Sequence, residues 1–337
     1  MFSQSDKLKI SALEFMHVLI ANNVLSESAY VSRYKGFGAE YELATLLKKR
    51  NPDRRIYSSC WLIPTVRKAE STNMPVVYMI DQLEPDHSLQ NLYSTLDKLP
   101  NKGLFYVQNL SDFSDFENWD RSDVMKIGTP LPIPKFRVFT FVDGNFQITN
   151  LSELLGKFED CGRNPNVVSR VEKATKDVWL KKCAQYPIEY LIDLYVDRLL
   201  VDGFLGFGKI KGQPADIDLI HPNKTYPDGF TFIEVKEKDL SKTPPVGFGL
   251  DVPRFKCMKI LKDLSYPKTD YAYVVKQISD QTKREFVDWL CISLTKFDSN
   301  KEEKVVQGRP GMRAKNTPSP VYICQKQHFQ QLFKASS

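Results

Sequence analysis

Two short runs in the C-terminal half of the chain carry charged residues at alternating positions. Asp216 and Asp218 lie in the run A-D-I-D-L-I, and Glu234 and Lys236 lie in the run T-F-I-E-V-K. Side chains alternate between the two faces of a β-strand, so the charged residues of each run share one face. Carboxylates bind Mg2+, and a lysine ammonium binds phosphate. If the two runs are neighbouring strands, the sequence predicts a site for phosphodiester chemistry.

The residues between the two runs favour a close connection. Several of them are of types enriched in turns, namely Pro222, Asn223, Pro227, Asp228 and Gly229. An antiparallel hairpin built on such a turn brings Asp218 and Glu234 together, with the Lys236 ammonium beside them.

Asp218 followed by Glu234-Val235-Lys236 resembles the signature of the PD-(D/E)xK nuclease superfamily, which includes many restriction endonucleases and repair nucleases. That signature is an acidic residue at a strand end, a short hairpin, and then (D/E)-x-K on the next strand. Here the two acids are 234 − 218 = 16 residues apart. The words I-D-L-I and F-I-E-V-K are similar to those of bacterial members that read G-E-I-D-L-I and F-V-E-V-K. The resemblance covers about residues 186–297, roughly a third of the chain, and the motif that carries it is short.

This resemblance implies that Asp218 and Glu234 are ligands of a Mg2+ ion, for which Mn2+ is expected to substitute. The backbone carbonyl of Val235 is then a third ligand, and Lys236 orients or deprotonates the attacking water. The proline that often precedes the first acid is displaced here, in P-A-D-I-D, so the choice between Asp216 and Asp218 stays open. The I-D-L-I comparison favours Asp218, with Asp216 as a secondary ligand.

The resemblance also implies a ligand from the first helix of the fold. Apolar residues at helical spacing predict a helix near 186–199, and Glu189 lies in its first turn beside the apolar side. A glutamate of the first helix often completes the metal site in this superfamily, which makes Glu189 a candidate ligand. The alternative is a solvated acid.

Glu-x-Lys on a strand also occurs as an ordinary solvent-facing cross-strand pair. The neighbours of Glu234 and Lys236 in the run are strongly apolar, which indicates an inner strand. Charged residues on an inner strand need a reason to be there, because burying a charge is costly.

The elements around the motif predict an α/β fold for a nuclease domain of residues 161–337. Their order, α-β-β-β-α-β-α-β, matches the restriction-endonuclease-like core, a mixed central sheet flanked by helices. Besides the two motif strands, the predicted elements are helices near 186–199, 252–264 and 280–290 and strands near 204–210, 271–275 and 292–297.

Residues 1–160 predict a separate N-terminal α/β domain for recognition or partner binding. Its predicted helices are near 7–21, 39–50 and 88–99, and its predicted strands are near 75–80, 104–108 and 136–142. The run Gly36–Glu40 predicts a turn at a helix entry, although its G-x-x-x-E form also resembles the first helix of some PD-(D/E)xK folds.

A net charge of +6 is a mild basic excess that permits nucleic acid as a substrate. Candidate contacts lie on the strand before the motif, on the helix after it and in a tail loop: Lys209, Lys211, Arg254, Lys256, Lys259, Arg309 and Arg313. Basic residues in such positions bind phosphates and position DNA. A solvated helix face or surface loop is the alternative for each group.

Composition limits the number of domains and argues against a zinc site or a membrane span. The 337 residues are 42% hydrophobic and 26% charged, enough for one large domain or two ordinary ones. The six cysteines are far apart, without a zinc-site spacing, and no run of about 18 apolar residues predicts a membrane span. A cytoplasmic protein with reduced thiols is expected.

The sequence therefore predicts a Mg2+-dependent DNA endonuclease of restriction-modification, phage defence, repair or mobile-element type. A nucleic-acid-binding or assembly protein with an inactive nuclease fold is the alternative. In a third case the motif is accidental, and its three side chains would not converge. Expected partners are DNA, other subunits of a defence or transposition complex, and a second copy of the chain.

Overall fold

The computed structural model divides the chain into two compact units. Unit 1 comprises Met1–Tyr34 and Ser59–Asp216, and unit 2 comprises Lys35–Ser58 and Ile217–Ser337. The boundary predicted near residue 160 differs from this division, which falls directly after Asp216. The structure describes residues 4–24, 26–65, 74–159, 161, 171–206, 214–223, 225–241, 244–302, 306–310 and 318–333.

Unit 1 is mixed α/β. Its helices are α1 (Gln4–Ala21), α2 (Glu27–Arg50) as far as Tyr34, α3 (His87–Leu96), α4 (Leu151–Gly156), α5 (Lys173–Cys183) and α6 (Ile188–Arg198). Its strands are β1 (Tyr57–Pro64) from Ser59 onward, β2 (Pro75–Asp81), β3 (Gly103–Asn109), β4 (Asp120–Ser122), β5 (Leu131–Ile133), β6 (Phe136–Val142) and β7 (Asn145–Thr149). Strands β1, β2, β3, β6 and β7 pair in that order, with β2 and β3 parallel and the other pairs antiparallel.

Most predicted elements of the N-terminal half are confirmed, and one region differs. Helix α6 continues as a π-helix, Leu199–Phe204, so the start of the strand predicted at 204–210 is helical, and residues 207–210 lie outside the described residues. Buried charged residues explain why the helix continues to this point. Asp202 in the π-helix accepts two hydrogen bonds from Arg33, and Asp197 pairs with Arg198 and accepts a hydrogen bond from Trp61. Buried ions need such partners, and the π-helix places Asp202 within reach of Arg33.

Unit 2 is also mixed α/β and contains both motif strands. Its helices are α2 from Lys35 onward, α7 (Val252–Asp263) and α8 (Leu294–Asn300). Its strands are β8 (Ala215–Pro222) from Ile217 onward, β9 (Phe230–Asp239), β10 (Gly247–Asp251), β11 (Thr269–Ile278), β12 (Phe286–Ser293), β13 (Val306–Pro310), β14 (Pro318–Gln325) and β15 (Gln330–Gln331).

The strands of unit 2 form two sheets. Strands β8, β9, β11, β12 and β15 pair in that order, with β9 and β11 parallel and the others antiparallel. Strands β10, β14 and β13 pair separately and antiparallel. The parallel pair β9–β11 needs a crossover, and helix α7 forms part of that connection.

Helix α2 covers one face of the motif sheet. Its Ala39 and Leu43 are buried with Leu219, Ile233 and Val235 from the motif strands. Glu42 binds Lys276 of β11, with the Oε1–Nζ distance at 2.6 Å. The run Gly36–Glu40 lies inside this continuous helix, so the predicted helix-entry turn is wrong. Leu43 and its neighbours are buried against strands that lie far away in the sequence, and this tertiary packing holds the helix through both glycines.

The helix predicted near 280–290 and the strand predicted near 292–297 are wrong, because the strand comes first and the helix follows it. Residues Phe286–Ser293 form strand β12, and Leu294–Asn300 form helix α8. Aromatic and β-branched residues favour the strand, and Ser293 caps the helix by accepting a hydrogen bond from the Lys296 amide. In the part of the chain that the structure describes, no helix is long and apolar enough to cross a membrane.

Leu43→Ala tests the packing of α2 on the motif sheet. Leu43 has no exposed surface, and removing its side chain should lower the free energy of unfolding by about 2–5 kcal/mol. Urea denaturation measures the change. Lys49→Ala on the same helix is the control, because Lys49 is exposed and its loss should change the free energy by no more than about 0.5 kcal/mol. Equal stabilities for the two variants would contradict the packing.

Candidate active site

The hairpin that carries the motif is fixed by its turn. Gly229 donates a backbone hydrogen bond to the Tyr226 carbonyl and accepts one from the Asn223 amide. A Cβ atom on Gly229 would lie 2.3 Å from the Lys268 carbonyl oxygen, so only glycine fits there. The turn sets an antiparallel register in which Leu219 faces Ile233. Asp218 and Glu234 are the next residues on the two strands.

The three motif side chains converge. The Lys236 ammonium lies 2.7 Å from Glu234 Oε1 and 3.6 Å from Asp218 Oδ2. Asp218 Oδ2 also accepts a hydrogen bond of 2.6 Å from the Val235 amide, which fixes the carboxylate against β9. An accidental motif predicts that these side chains lie apart, and in the structure they lie together.

A fourth charged residue joins the cluster from helix α7. Arg254 Nε lies 2.9 Å from Glu234 Oε1, and the Arg254 side chain is 17% exposed. Pro253 stands at the start of α7 and predisposes the backbone to helix there. The predicted N-cap, Asp251, occupies its position but makes no side-chain capping hydrogen bond. The Arg254 side chain extends from the first turn of α7 to Glu234.

The two oxygens of Glu234 have different surroundings. The Glu234 side chain has no exposed surface. Lys236 and Arg254 both form short ion pairs with Oε1, but the geometry of neither contact meets that of a hydrogen bond. Oε2 is buried and has no hydrogen-bond partner among the described residues. An orphaned carboxylate oxygen is costly, and a bound cation would satisfy it.

The site continues along β9 beyond the motif. Lys238 shares the face of Lys236 and donates a 2.6 Å hydrogen bond to the Gly249 carbonyl of β10. Burial lowers the pKa of Lys238, and the positive charge of Lys236 adds to this effect. Tyr273 donates to the same carbonyl at 2.9 Å, and burial raises the pKa of Tyr273. This polar face thus also ties β10 to the motif sheet.

Two predicted ligands belong to unit 1. Glu189 is exposed in the first turn of α6, and Asp216 is the last residue of unit 1. The charge of Asp216 is one of those that raise the pKa of Arg198. The metal roles of Glu189 and Asp216 stay predictions.

Three of the seven candidate nucleic-acid contacts have side chains that the structure describes. Arg254 contacts Glu234, Lys256 is exposed, and Lys259 pairs with Asp298 of α8 at 2.8 Å. Lys209, Lys211 and Arg313 lie outside the described residues. Arg309 lies in β13, and its side chain is not described. The contact between Arg254 and Glu234 is the one that sequence reasoning missed, because helical spacing alone does not reveal which charge an arginine meets.

The donor set at the motif fits a magnesium ion. No group of three or more His, Cys, Asp or Glu side chains that could hold a metal occurs among the described residues. Mg2+ usually keeps several waters and takes one or two protein carboxylates, which Asp218 and Glu234 can provide. The buried Glu234 Oε2 has no hydrogen-bond partner among the described residues, and a bound cation would satisfy it.

Comparisons of the chain with protein-family models, with curated proteins and with solved structures gave no match.

Glu234→Gln tests the electrostatics of the protein without added metal. The amide keeps the shape but removes the negative charge that Lys236 and Arg254 share. Both cations are partly solvated, so we expect a loss of about 1–3 kcal/mol in the free energy of unfolding. Urea denaturation with chelator present gives the value.

Glu285→Gln is the control for this measurement, since Glu285 is exposed and lies outside the cluster. A Glu234→Gln protein as stable as Glu285→Gln, or more stable, would show that the two cations do not offset the burial of Glu234.

Proposed function

We propose that the protein is a Mg2+-dependent endonuclease that hydrolyses phosphodiester bonds of DNA. The observation that carries this proposal is the convergence of Asp218, Glu234 and Lys236 on one face of a hairpin. Two buried carboxylates beside an ammonium group are the groups that the reaction needs, and burying them is costly.

The order of elements in unit 2 supports a restriction-endonuclease-like core. Helix α2 from Lys35, strands β8, β9 and β10, helix α7 and strand β11 follow one another as α-β-β-β-α-β. In this proposal the first helix is α2, whose G-x-x-x-E run resembles that of some PD-(D/E)xK folds, in place of α6, and the family's first-helix ligand then gives no support to Glu189. Residues 59–216 are inserted between this helix and the strands. One departure is that β10 pairs in the separate three-stranded sheet.

Asp218 and Glu234 would hold the magnesium ion. When bound, Mg2+ lowers the pKa of a coordinated water and neutralises charge on the phosphoryl oxygens. The Val235 amide donates to Asp218 of β8, and the amide and carbonyl of one strand residue point to the same side. The Val235 carbonyl thus also points toward β8, in keeping with its predicted role as a ligand.

Lys236 would act on the attacking water. Its ammonium lies within 3.6 Å of both carboxylates and its side chain is 36% exposed, so it reaches solvent beside the ligands. From that position Lys236 can orient the water, accept its proton after losing one of its own, and stabilise the negative charge that develops on the phosphoryl oxygens.

Cleavage assays with Lys236→Ala test the proposal. Plasmid DNA, single-stranded DNA and RNA are incubated with the protein and Mg2+, Mn2+ or chelator. We expect metal-dependent DNA cutting by the parent protein and a loss of at least about a hundredfold in rate in the variant. Lys296→Ala is the matched control, because Lys296 is exposed on α8 and should be dispensable.

Metal-dependent cutting that survives in Lys236→Ala would contradict the assigned role of the lysine. DNA binding without cutting by the parent protein, under all metal conditions, would favour the inactive binding module. A preference for RNA would correct the substrate. Roles in restriction, phage defence, repair or transposition, with further subunits or a second copy, belong to the same proposal.

A further inference from the structure

Arg254 occupies an unusual place for a residue expected to bind DNA. Its guanidinium contacts a ligand of the proposed metal site, and the same carboxylate oxygen is contacted by Lys236. Two positive charges therefore crowd one atom, Glu234 Oε1, while Oε2 has no hydrogen-bond partner among the described residues. A divalent cation at Oε2 would add a third positive centre to the same carboxylate.

Electrostatics makes these three centres compete. A like charge within about 4–6 Å changes the affinity of a site for a cation by roughly one to three powers of ten, to judge from its effect on pKa values. Lys236 is held close to both carboxylates by its position on β9, two residues from Glu234. Arg254 reaches the site from a helix by a long side chain, so it is the cation that can move away.

Phosphate is the natural alternative partner for the displaced guanidinium. An arginine presents a planar fork that matches phosphate oxygens, and a phosphodiester bound beside Asp218 and Glu234 would lie next to it. Residues two apart on a helix point about 200° apart, so Lys256 is directed away from this position. Arg254 is the residue of α7 that can serve both partners.

We infer that Arg254 is a displaceable counter-charge, which neutralises Glu234 before metal binds and exchanges Glu234 for the scissile phosphate when metal and DNA bind. This inference rests on the proposed nuclease function. It has a thermodynamic consequence, because the exchange couples the two ligands. Metal binding frees Arg254 for the phosphate, and phosphate binding removes Arg254 from Glu234, so each ligand must strengthen the binding of the other by the same factor.

Mn2+ binding to the protein alone, followed by calorimetry, separates this role from a structural one. Arg254→Met removes the competing charge, so its Mn2+ dissociation constant should fall by about tenfold or more relative to the parent protein. Arg254→Lys keeps the charge and should stay near the parent value. Lys256→Met removes the same charge from the same helix without touching Glu234 and should also leave Mn2+ affinity unchanged.

Fluorescence anisotropy with a labelled DNA duplex measures the coupling, with Ca2+ as the cation and chelator as its absence. The parent protein should bind DNA more tightly with Ca2+, and Arg254→Met should lose most of that gain and bind DNA about tenfold more weakly in Ca2+. Lys256→Met should lower DNA affinity by a similar factor with and without Ca2+.

The outcomes distinguish the two proposals. If Mn2+ affinity depends on Asp218 and Glu234 but is unchanged or weaker in Arg254→Met, the counter-charge role is wrong and the nuclease proposal stands. If neither the parent protein nor Arg254→Met binds Mn2+, both are wrong. If Arg254→Met does not fold by circular dichroism, Arg254→Gln takes its place with the same expected tightening, and weaker Mn2+ binding by every folded Arg254 variant would mean that the residue is structural.

Discussion

The burial of the Glu234 carboxylate is the constraint on which the candidate site depends. A charged group without exposed surface is stable only where opposite charge lies close by. Lys236 supplies it from the same strand and Arg254 from helix α7, so the site joins the motif hairpin to the helix of the following crossover. Asp218 is held by different means, through the Val235 amide, and it brings the second strand to the same point.

The opposite face of the same strands explains why the charged face can be so polar. Ile233, Val235 and Leu219 are buried against Ala39 and Leu43 of α2, and this apolar layer stabilises the hairpin without help from the site. Alternation along β9 thus assigns one face to packing and the other to chemistry. Helix α2, which completes the layer, is separated from the motif strands in the sequence by the inserted segment 59–216. Unit 2 therefore forms only when distant parts of the chain meet.

Sequence reasoning succeeded where the determining interactions are local. The alternation in A-D-I-D-L-I and T-F-I-E-V-K and the turn residues around Gly229 predict the hairpin, and the hairpin brings Asp218, Glu234 and Lys236 together. It failed where distant contacts decide. Helical periodicity in 186–199 is genuine, but the packing of α2 on Ile233 and Val235 is not predicted, because such buried contacts are invisible in a linear pattern. The sequence pattern of 280–297 predicts helix and strand in the exchanged order, since short apolar runs fit both periods.

Arg254 shows the same limit at the level of one side chain, and its geometry also bears on how the site can work. A lysine and an arginine both contact Glu234 Oε1, and the lysine also lies 3.6 Å from Asp218 Oδ2. The lysine is held where the two carboxylates meet by its place on β9, whereas the arginine reaches Glu234 from helix α7 by a long side chain. A cation that binds both carboxylates must accommodate Lys236, whereas the Arg254 side chain can move away with its guanidinium. In the proposed nuclease, this difference in attachment fits Lys236 for the chemical step and Arg254 for holding the substrate.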